Sequence, residues 1–457
     1  LRDRVRTLLP AVLLPLLLPT SAASSAAEGD AFRPAVAGGS LLPRAVVQGT
    51  PADSTSGEFL RVSVLTIGQG DLVWEKFGHN AIRIVDTRDG TDVAWNWGLF
   101  TFTQEGFWPR LVRGEMLYSM GGYATDATLR QYRAANRPVW EQELDLTPEQ
   151  KWRLRNAVLE HYRPENRQYL YDYYRDNCST RVRDMLDLAL DGAISNALRD
   201  DTTSTTYRWH TRRLLAGSPL AYAGIQLVLG HRADRPITAW EEGFLPMRLR
   251  DHLREVTVQV DGRARPLVRS EVQLVRSDRP PTPGQAPSRL GWFGSVGLAL
   301  AGLVAALGAW ASRESVAGRV AWAVVAVLWS AATGAAGALI LGAWLFTAHV
   351  FWGLNENLLQ ADPASLVLAA AFLPVLWRGR VGARAAALAA TVAALSALGF
   401  LLQVFPALDQ VNGEIIALAL PVNLTVGWTA VRLSAPRPEG SDDRAAAAAA
   451  GDRALAA

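Results

Sequence analysis

Residues 171–186 read YDYYRDNCSTRVRDML. Val182, Met185, Leu186 and Leu190 recur at helical spacing, and Asp176, Asn177, Ser179 and Thr180 are all capping residue types. The pattern predicts a helix that opens at Cys178, the one cysteine among 457 residues. A thiol in the first turn meets the positive end of the helix dipole and free backbone N–H groups. Both are expected to lower its pKa and to hold an oxyanion.

Nucleophilic use of a thiol needs a base beside it and a third group to orient that base. Ninety-nine positions upstream, FGHNAIRI at residues 77–84 supplies His79 at the start of a predicted strand. It is the best base among the six histidines. HNAIRIVD, the turn TRDGTD and DVAWNWGLF read as a β-hairpin, which puts Asn96 on the return strand, toward the His79 end. Glu75 lies four residues before His79. It reaches the imidazole only if the helical stretch Leu72–Phe77 continues through residue 79. The competing reading of Cys178 is a small buried hydrophobe; its polar neighbours favour chemistry.

The rest of the chain sets the compartment. Residues 1–27 have arginines before a short apolar core and then small residues, the layout of a signal peptide. Residues 28–57 read as a linker, residues 58–277 as an extracytoplasmic Cys–His domain, and the proline-rich 278–289 as a second linker. FLRVSVLTI reads as its first strand, and Thr147 with Pro148 and Gln150 opens a helix with a capping box. Extracytoplasmic cysteines are normally paired; an unpaired one there is retained most readily when its chemistry is used.

Five apolar stretches fill residues 290–433: Gly291–Ala311, Val320–Phe346, Leu358–Trp377, Ala385–Phe405 and Ile415–Val431. Each approaches the roughly 20 residues a span needs. Arg313 and Arg319, then Arg378, Arg380 and Arg384, and last Arg432 and Arg437 sit in alternate connections. Those connections are cytoplasmic by the positive-inside rule, which leaves residues 28–289 outside. Residues 434–457 read as a disordered cytoplasmic tail. The net charge of +3 comes almost wholly from arginine, with no basic cluster interleaved with aromatics, so nucleic acid is not an expected partner.

The remaining candidates are fewer. One cysteine and scattered histidines make no zinc pattern, and neither a metal nor a cofactor is expected. His161, His210, His231 and His252 are expected in solvated or capping roles. Trp95, Trp97, Phe100 and Phe102 alternate as core and groove lining. The outer loop TAHVFWGLNENLLQ (347–360) has two readings. Phe351 and Trp352 suit an interfacial aromatic belt, while His349, Asn355 and Asn357 suit contact with a lipid headgroup.

FGHNAIRI, AWNWGLF, RPVWEQELDLTPEQ and YLYDYYRDNCSTRVRD together resemble the exported domain of the bacterial lipoprotein intramolecular transacylase (Lnb) family. The resemblance spans about residues 58–255, and the helical C-terminal half agrees in layout. The order His before Cys is also similar to circularly permuted NlpC/P60, papain-like enzymes. The resemblance implies an α+β papain-like domain followed by an all-α membrane domain, with His79 and Cys178 as the catalytic pair. His349, Asn355 and Asn357 are the implied substrate-binding loop, although Ala348 and Val350 stand where the family leads us to expect an acid and a proline. The implied substrate is a diacylglyceryl lipoprotein or a membrane phospholipid at the outer face of the cytoplasmic membrane. Two alternatives remain: a Cys–His hydrolase of cell-wall peptides, amides or phospholipids, and a non-catalytic envelope scaffold.

Overall fold

The computed structural model describes residues 54–435 apart from 261, 314 and 409. The expected signal peptide, most of the first linker and the tail lie outside the described residues. Two compact units emerge. The first holds the described residues up to Pro287 together with Ala343–Gly353, and the second holds Ser288–Gly342 and the described residues from Leu354 onward.

The first unit is built on an antiparallel sheet. Its strands are β1 (Leu60–Ile67), β2 (His79–Asp86), β3 (Thr91–Leu99), β4 (Leu117–Ala124), β5 (Val139–Leu144), β6 (Gln168–Leu170) and, after four short strands, β11 (Val268–Val275). The short ones pair off as β7 (Thr202–Thr206) with β8 (Pro236–Thr238) and β9 (Thr257–Val260) with β10 (Arg263–Pro266). Spatial order in the seven-stranded sheet is β11-β5-β1-β2-β3-β4-β6. β1 and β2 align from Leu60 opposite Asp86 to Ile67 opposite His79.

Alternation along the strands sends side chains to two packed faces. Leu60, Val62, Val64, Ile82, Ile84, Trp95 and Trp97 join one core cluster. That cluster includes Leu154 and Val158 of α3 (Pro148–Tyr162) and Val182, Met185 and Leu186 of α4 (Cys178–Ala189). Leu65, Ile67, Ala81 and Ala94 face the other way, where Leu129 and Tyr132 of α2 (Thr125–Ala134) pack. A shorter helix, α1 (Phe107–Arg113), precedes β4. The capping box expected at Thr147 is present: Gln150 N–H donates to Thr147 Oγ1 at 3.2 Å, and Thr147 N–H donates to Gln150 Oε1 at 2.9 Å.

The second unit is helical. Among the described residues, five helices are long and apolar enough to cross a membrane: Leu290–Ser312, Val316–Phe346, Glu356–Arg378, Ala383–Val404 and Gly413–Ser434. Val316–Phe346 ends in the first unit. The third is interrupted, with α-helix over Ala364–Phe372 and again over Val375–Arg378. Pro363 and Pro374 remove backbone donors at both breaks. Asn423 Nδ2 donates to Gln360 O at 3.0 Å and to Ser396 Oγ at 3.2 Å, and Trp329 Nε1 donates to Asn423 Oδ1 at 2.8 Å. Interhelical polar bonds of this kind hold apolar helices where the hydrophobic effect gives no preference between lipid and protein.

Two sequence expectations change here. Phe351 is not part of an interfacial belt: at 5% exposure it lies in a core cluster with Tyr174, Tyr207 and Phe244. Its ring stands 4.7 Å from Tyr174 and 5.1 Å from Tyr207, and Gly230 N–H donates to Phe351 O at 2.8 Å. Burying that ring in an aromatic cage is why residues 343–353 join the first unit. His210 and His252 are not solvated either. Both are buried, and their Nε2 atoms lie 2.8 and 2.7 Å from the carboxylate of buried Glu242. Thr205 Oγ1 and Arg248 Nε donate to the same carboxylate. Burial would raise the Glu242 carboxyl; the bonds from His210, His252 and Thr205 and the Arg248 charge outweigh it and hold the group ionised.

Glu242→Ala would leave two buried imidazoles and a guanidinium without their common acceptor. The expected loss is about 3 kcal/mol of stability, measured by thermal unfolding of the full-length chain in detergent. An unchanged transition temperature would show that the cluster is not a brace.

Candidate active site

The site lies where β2 begins, β3 ends and α4 starts. The FGHN run works because of its glycine. The 3-10 turn Val73–Phe77 stops at Gly78, whose φ of +84° suits glycine, and a Cβ there would stand 2.7 Å from Ile67 O. The chain therefore leaves the turn and enters β2 at His79. That break decides between the two groups expected to orient His79. Glu75 required a helix running through residue 79, and there is none. Its carboxylate instead accepts from Arg137 at 3.0 Å and from Leu72 N–H at 3.2 Å.

Asn96 is the group that reaches the imidazole. Its register partner is Ala81, so it shares a sheet face with His79, and Oδ1 lies 3.0 Å from His79 Nε2. Asn96 Nδ2 donates to Ala94 O at 2.9 Å, which fixes the amide with its oxygen toward the ring. A carbonyl oxygen only accepts, so Nε2 carries the proton. In the neutral ring Nδ1 is then the basic nitrogen.

Asn80, the next residue, points to the opposite face and ties the strand to α4. Ser179 Oγ lies 2.8 Å from Asn80 Oδ1 and 2.7 Å from Gly243 O. Asn80 Nδ2 donates to Thr66 Oγ1 at 2.9 Å. Asn177, one of four expected capping residues, is the N-cap, and Thr180 Oγ1 accepts its N–H at 2.7 Å to complete a capping box. Its Oδ1 accepts from Ser179 N–H at 2.8 Å and Thr180 N–H at 3.0 Å, while Nδ2 donates to Tyr173 O and Phe244 O. Sequence reading missed the roles of Asn80 and Ser179. Their polar types beside the candidate pair were the available signal, but the contact joins residues 99 positions apart.

Cys178 takes the first helical position. It packs on Gly98, which has a φ of +86°; a Cβ there would stand 3.2 Å from the Cys178 Cβ. Burial pushes the thiol up to about 11, against the backbone amides of Asn80, Ser179 and Cys178 and the positive charge of Arg137, which pull it down. The expected lowering by the helix start is present but loses to desolvation. Burial likewise drives His79 down to about 4, against the Asn96 bond and with the help of Arg137. Both partners are therefore neutral at pH 7 in the free protein.

Of the loop expected to bind substrate, His349 belongs to the first unit. Its Nε2–H donates to Leu111 O at 3.1 Å, its ring stacks on Trp352 at 4.5 Å, and burial lowers its pKa. Asn355 and Asn357 belong to the membrane unit. Both are buried; Asn355 Oδ1 accepts from Asn357 N–H at 3.0 Å and from Gln410 Nε2 at 3.2 Å. Among the described residues, no group of three or more His, Cys, Asp or Glu is placed to hold a metal ion.

Fold and sequence together define a class: an α+β periplasmic domain carried by a multi-pass inner-membrane protein. Residues 51–216 match the family model described as the Lnb N-terminal periplasmic domain. The match supports a lipoprotein-modifying enzyme of the envelope. No curated protein and no solved structure matches the chain.

A neutral pair predicts a particular pH response. Because the thiol's pKa is raised, little thiolate exists at pH 7, and its fraction grows as pH approaches about 11. Iodoacetamide labelling of the full-length protein should be slow at pH 7 and climb continuously above pH 9. A plateau of fast labelling from below pH 6 would reveal a preformed thiolate–imidazolium pair instead.

Proposed function

We propose that the protein is a thiol acyltransferase of the periplasmic membrane face. It would move an acyl chain from the diacylglyceryl ester of a lipoprotein to that lipoprotein's N-terminal amine. The observation that carries this reading is the His79–Asn96 contact beside a cysteine-opened helix, within a domain of the Lnb family. A neutral His79 with Nε2 protonated is the form needed for general-base catalysis at Nδ1.

In the first half-reaction His79 takes the Cys178 proton as sulfur attacks the ester carbonyl carbon. The carbon–oxygen bond to the glyceryl group breaks, and the imidazolium protonates the departing alkoxide. The product is a Cys178 thioester and a lyso-glyceryl lipoprotein. In the second half the amine attacks the thioester, the carbon–sulfur bond breaks, and a proton passes through His79 back to the thiol. Asn177 engages the Ser179 and Thr180 N–H groups, so Cys178 N–H is the helix-start donor that the cap leaves for the tetrahedral oxyanion. Both partners begin neutral, so charge appears only as the proton moves.

Mass spectrometry of lipoprotein N-termini tests this in a host lacking its own N-acyltransferase. Expression of the chain should convert diacylglyceryl lipoproteins to an N-acylated lyso form, and Cys178→Ala or His79→Ala should reduce that conversion at least about a hundredfold. Unconverted diacylglyceryl lipoproteins in the presence of the folded chain would overturn the proposal.

A further inference from the structure

A cleft of about 430 Å³ opens in the first unit, lined by Arg175, Arg183 and Arg199 and by the rings of Tyr174, Tyr207 and Trp240. The arginines come from three places in the chain: the loop before α4, the middle of α4, and the end of the short helix Ala193–Leu198. Three cations around one opening repel one another unless acids or a bound anion offset them.

The acids beside them leave one charge over. Arg175 Nε and Nη2 donate to Asp172 Oδ2 at 2.9 and 2.7 Å, and Arg183 Nε donates to Asp184 Oδ1 at 2.9 Å. Glu241 also lines the cleft, but its Oε2 accepts from Arg235 Nη1 at 2.9 Å and from Thr238 N–H at 3.1 Å. Arg199 makes no ion pair with a described carboxylate; its guanidinium stands 5.3 Å from the centroid of the Trp240 ring.

Arg183 supplies a second observation. Its guanidinium lies 3.8 Å from the same Trp240 centroid, and its Nη1 donates to Trp240 O at 2.6 Å. The side chain is buried, and burial pulls its pKa down against the opposing charge of Asp184. Its protein neighbours therefore do not fully offset the cost of burying this cation, and an anion in the cleft would. Contact with the indole also orders both guanidinium groups before anything binds, which reduces the entropy lost on binding.

We propose that the cleft is a binding site for a phosphate ester, its phosphate held by Arg199 with Arg175 and Arg183 and its organic part lying on Tyr174, Tyr207 and Trp240. A tetrahedral phosphate presents oxygens in several directions and can meet guanidinium forks arriving from three elements. A carboxylate offers two oxygens in one plane, which suits a single fork. The cleft has the volume of a small-molecule site, leaving room for more than the phosphate group. A soluble phosphate ester and a phospholipid headgroup share this chemistry. The residues are not those of the Cys178–His79 pair, and the site stands whether or not acyl transfer does.

The test is isothermal titration calorimetry of the full-length protein in dodecyl maltoside at fixed ionic strength, with glycerol 3-phosphate, glycerophosphoglycerol and acetate as probes. At least one phosphate ester should bind, with acetate roughly tenfold weaker or more, and Arg199→Gln should weaken ester binding roughly tenfold. Tighter binding of glycerophosphoglycerol would support the site and assign it to a lipid headgroup; tighter binding of glycerol 3-phosphate would support it and assign it to a soluble ester. Binding of neither ester, acetate binding as tightly as the esters, or unchanged affinity in Arg199→Gln would overturn the proposal. Phenylglyoxal modification of the unmutated chain, mapped by mass spectrometry, gives a readout that needs no variant. The bound ester should protect Arg199, and equal modification with and without it would count against the site.

Discussion

The arrangement depends on one buried polar tie, the contact between Ser179 Oγ and Asn80 Oδ1. A helix packed on a sheet through Val182, Met185 and Leu186 can slide along its axis at little cost, because apolar contact is non-directional. A directional bond within the first turn removes that freedom. An unsatisfied buried amide or hydroxyl costs about 1–3 kcal/mol, so slippage is penalised at both partners. Asn177 adds a second pin by holding the helix start to Phe244 O and Tyr173 O. The thiol then stands at the strand ends with the precision of the backbone.

This anchoring has an electrostatic consequence. Bringing backbone amides to the sulfur of half-buried Cys178 also desolvates it, and desolvation is the larger effect. The same burial acts in the opposite chemical direction on His79, whose charged form is the cation. Thiol and imidazole are pushed apart, to about 11 and about 4, and each rests uncharged. Arg137 favours the thiolate and disfavours the imidazolium, and its own charge is met by Glu75 and Gly68 O.

Several features were readable locally. The capping box at Thr147, the start of α4 and the β2–β3 hairpin appear where turn and cap chemistry predicted them, because those signals are satisfied within a few residues. The five apolar helices were readable for a similar reason: length and composition suffice when the solvent is lipid. The expectations that failed all required knowledge of remote neighbours. Glu75 was equally plausible with Asn96 until Gly78 broke the turn. His210 and His252 looked solvated because Glu242, their shared partner, is 32 and 10 positions away. Phe351 looked like a belt residue because its cage is assembled from Tyr174, Tyr207 and Phe244, more than 100 positions upstream.

The amino-acid sequence by itself determined which residue types could do the chemistry, where the nucleophile's helix begins and which segments can cross a membrane. These follow from hydrogen bonds and hydrophobic periods that close over short distances along the chain. Only the tertiary structure decided that Asn96 orients His79, that Asn80 and Ser179 fix the helix, and that thiol and imidazole rest neutral. Each of these depends on desolvation and on side chains brought together from distant positions, and neither can be read from a local pattern of residues.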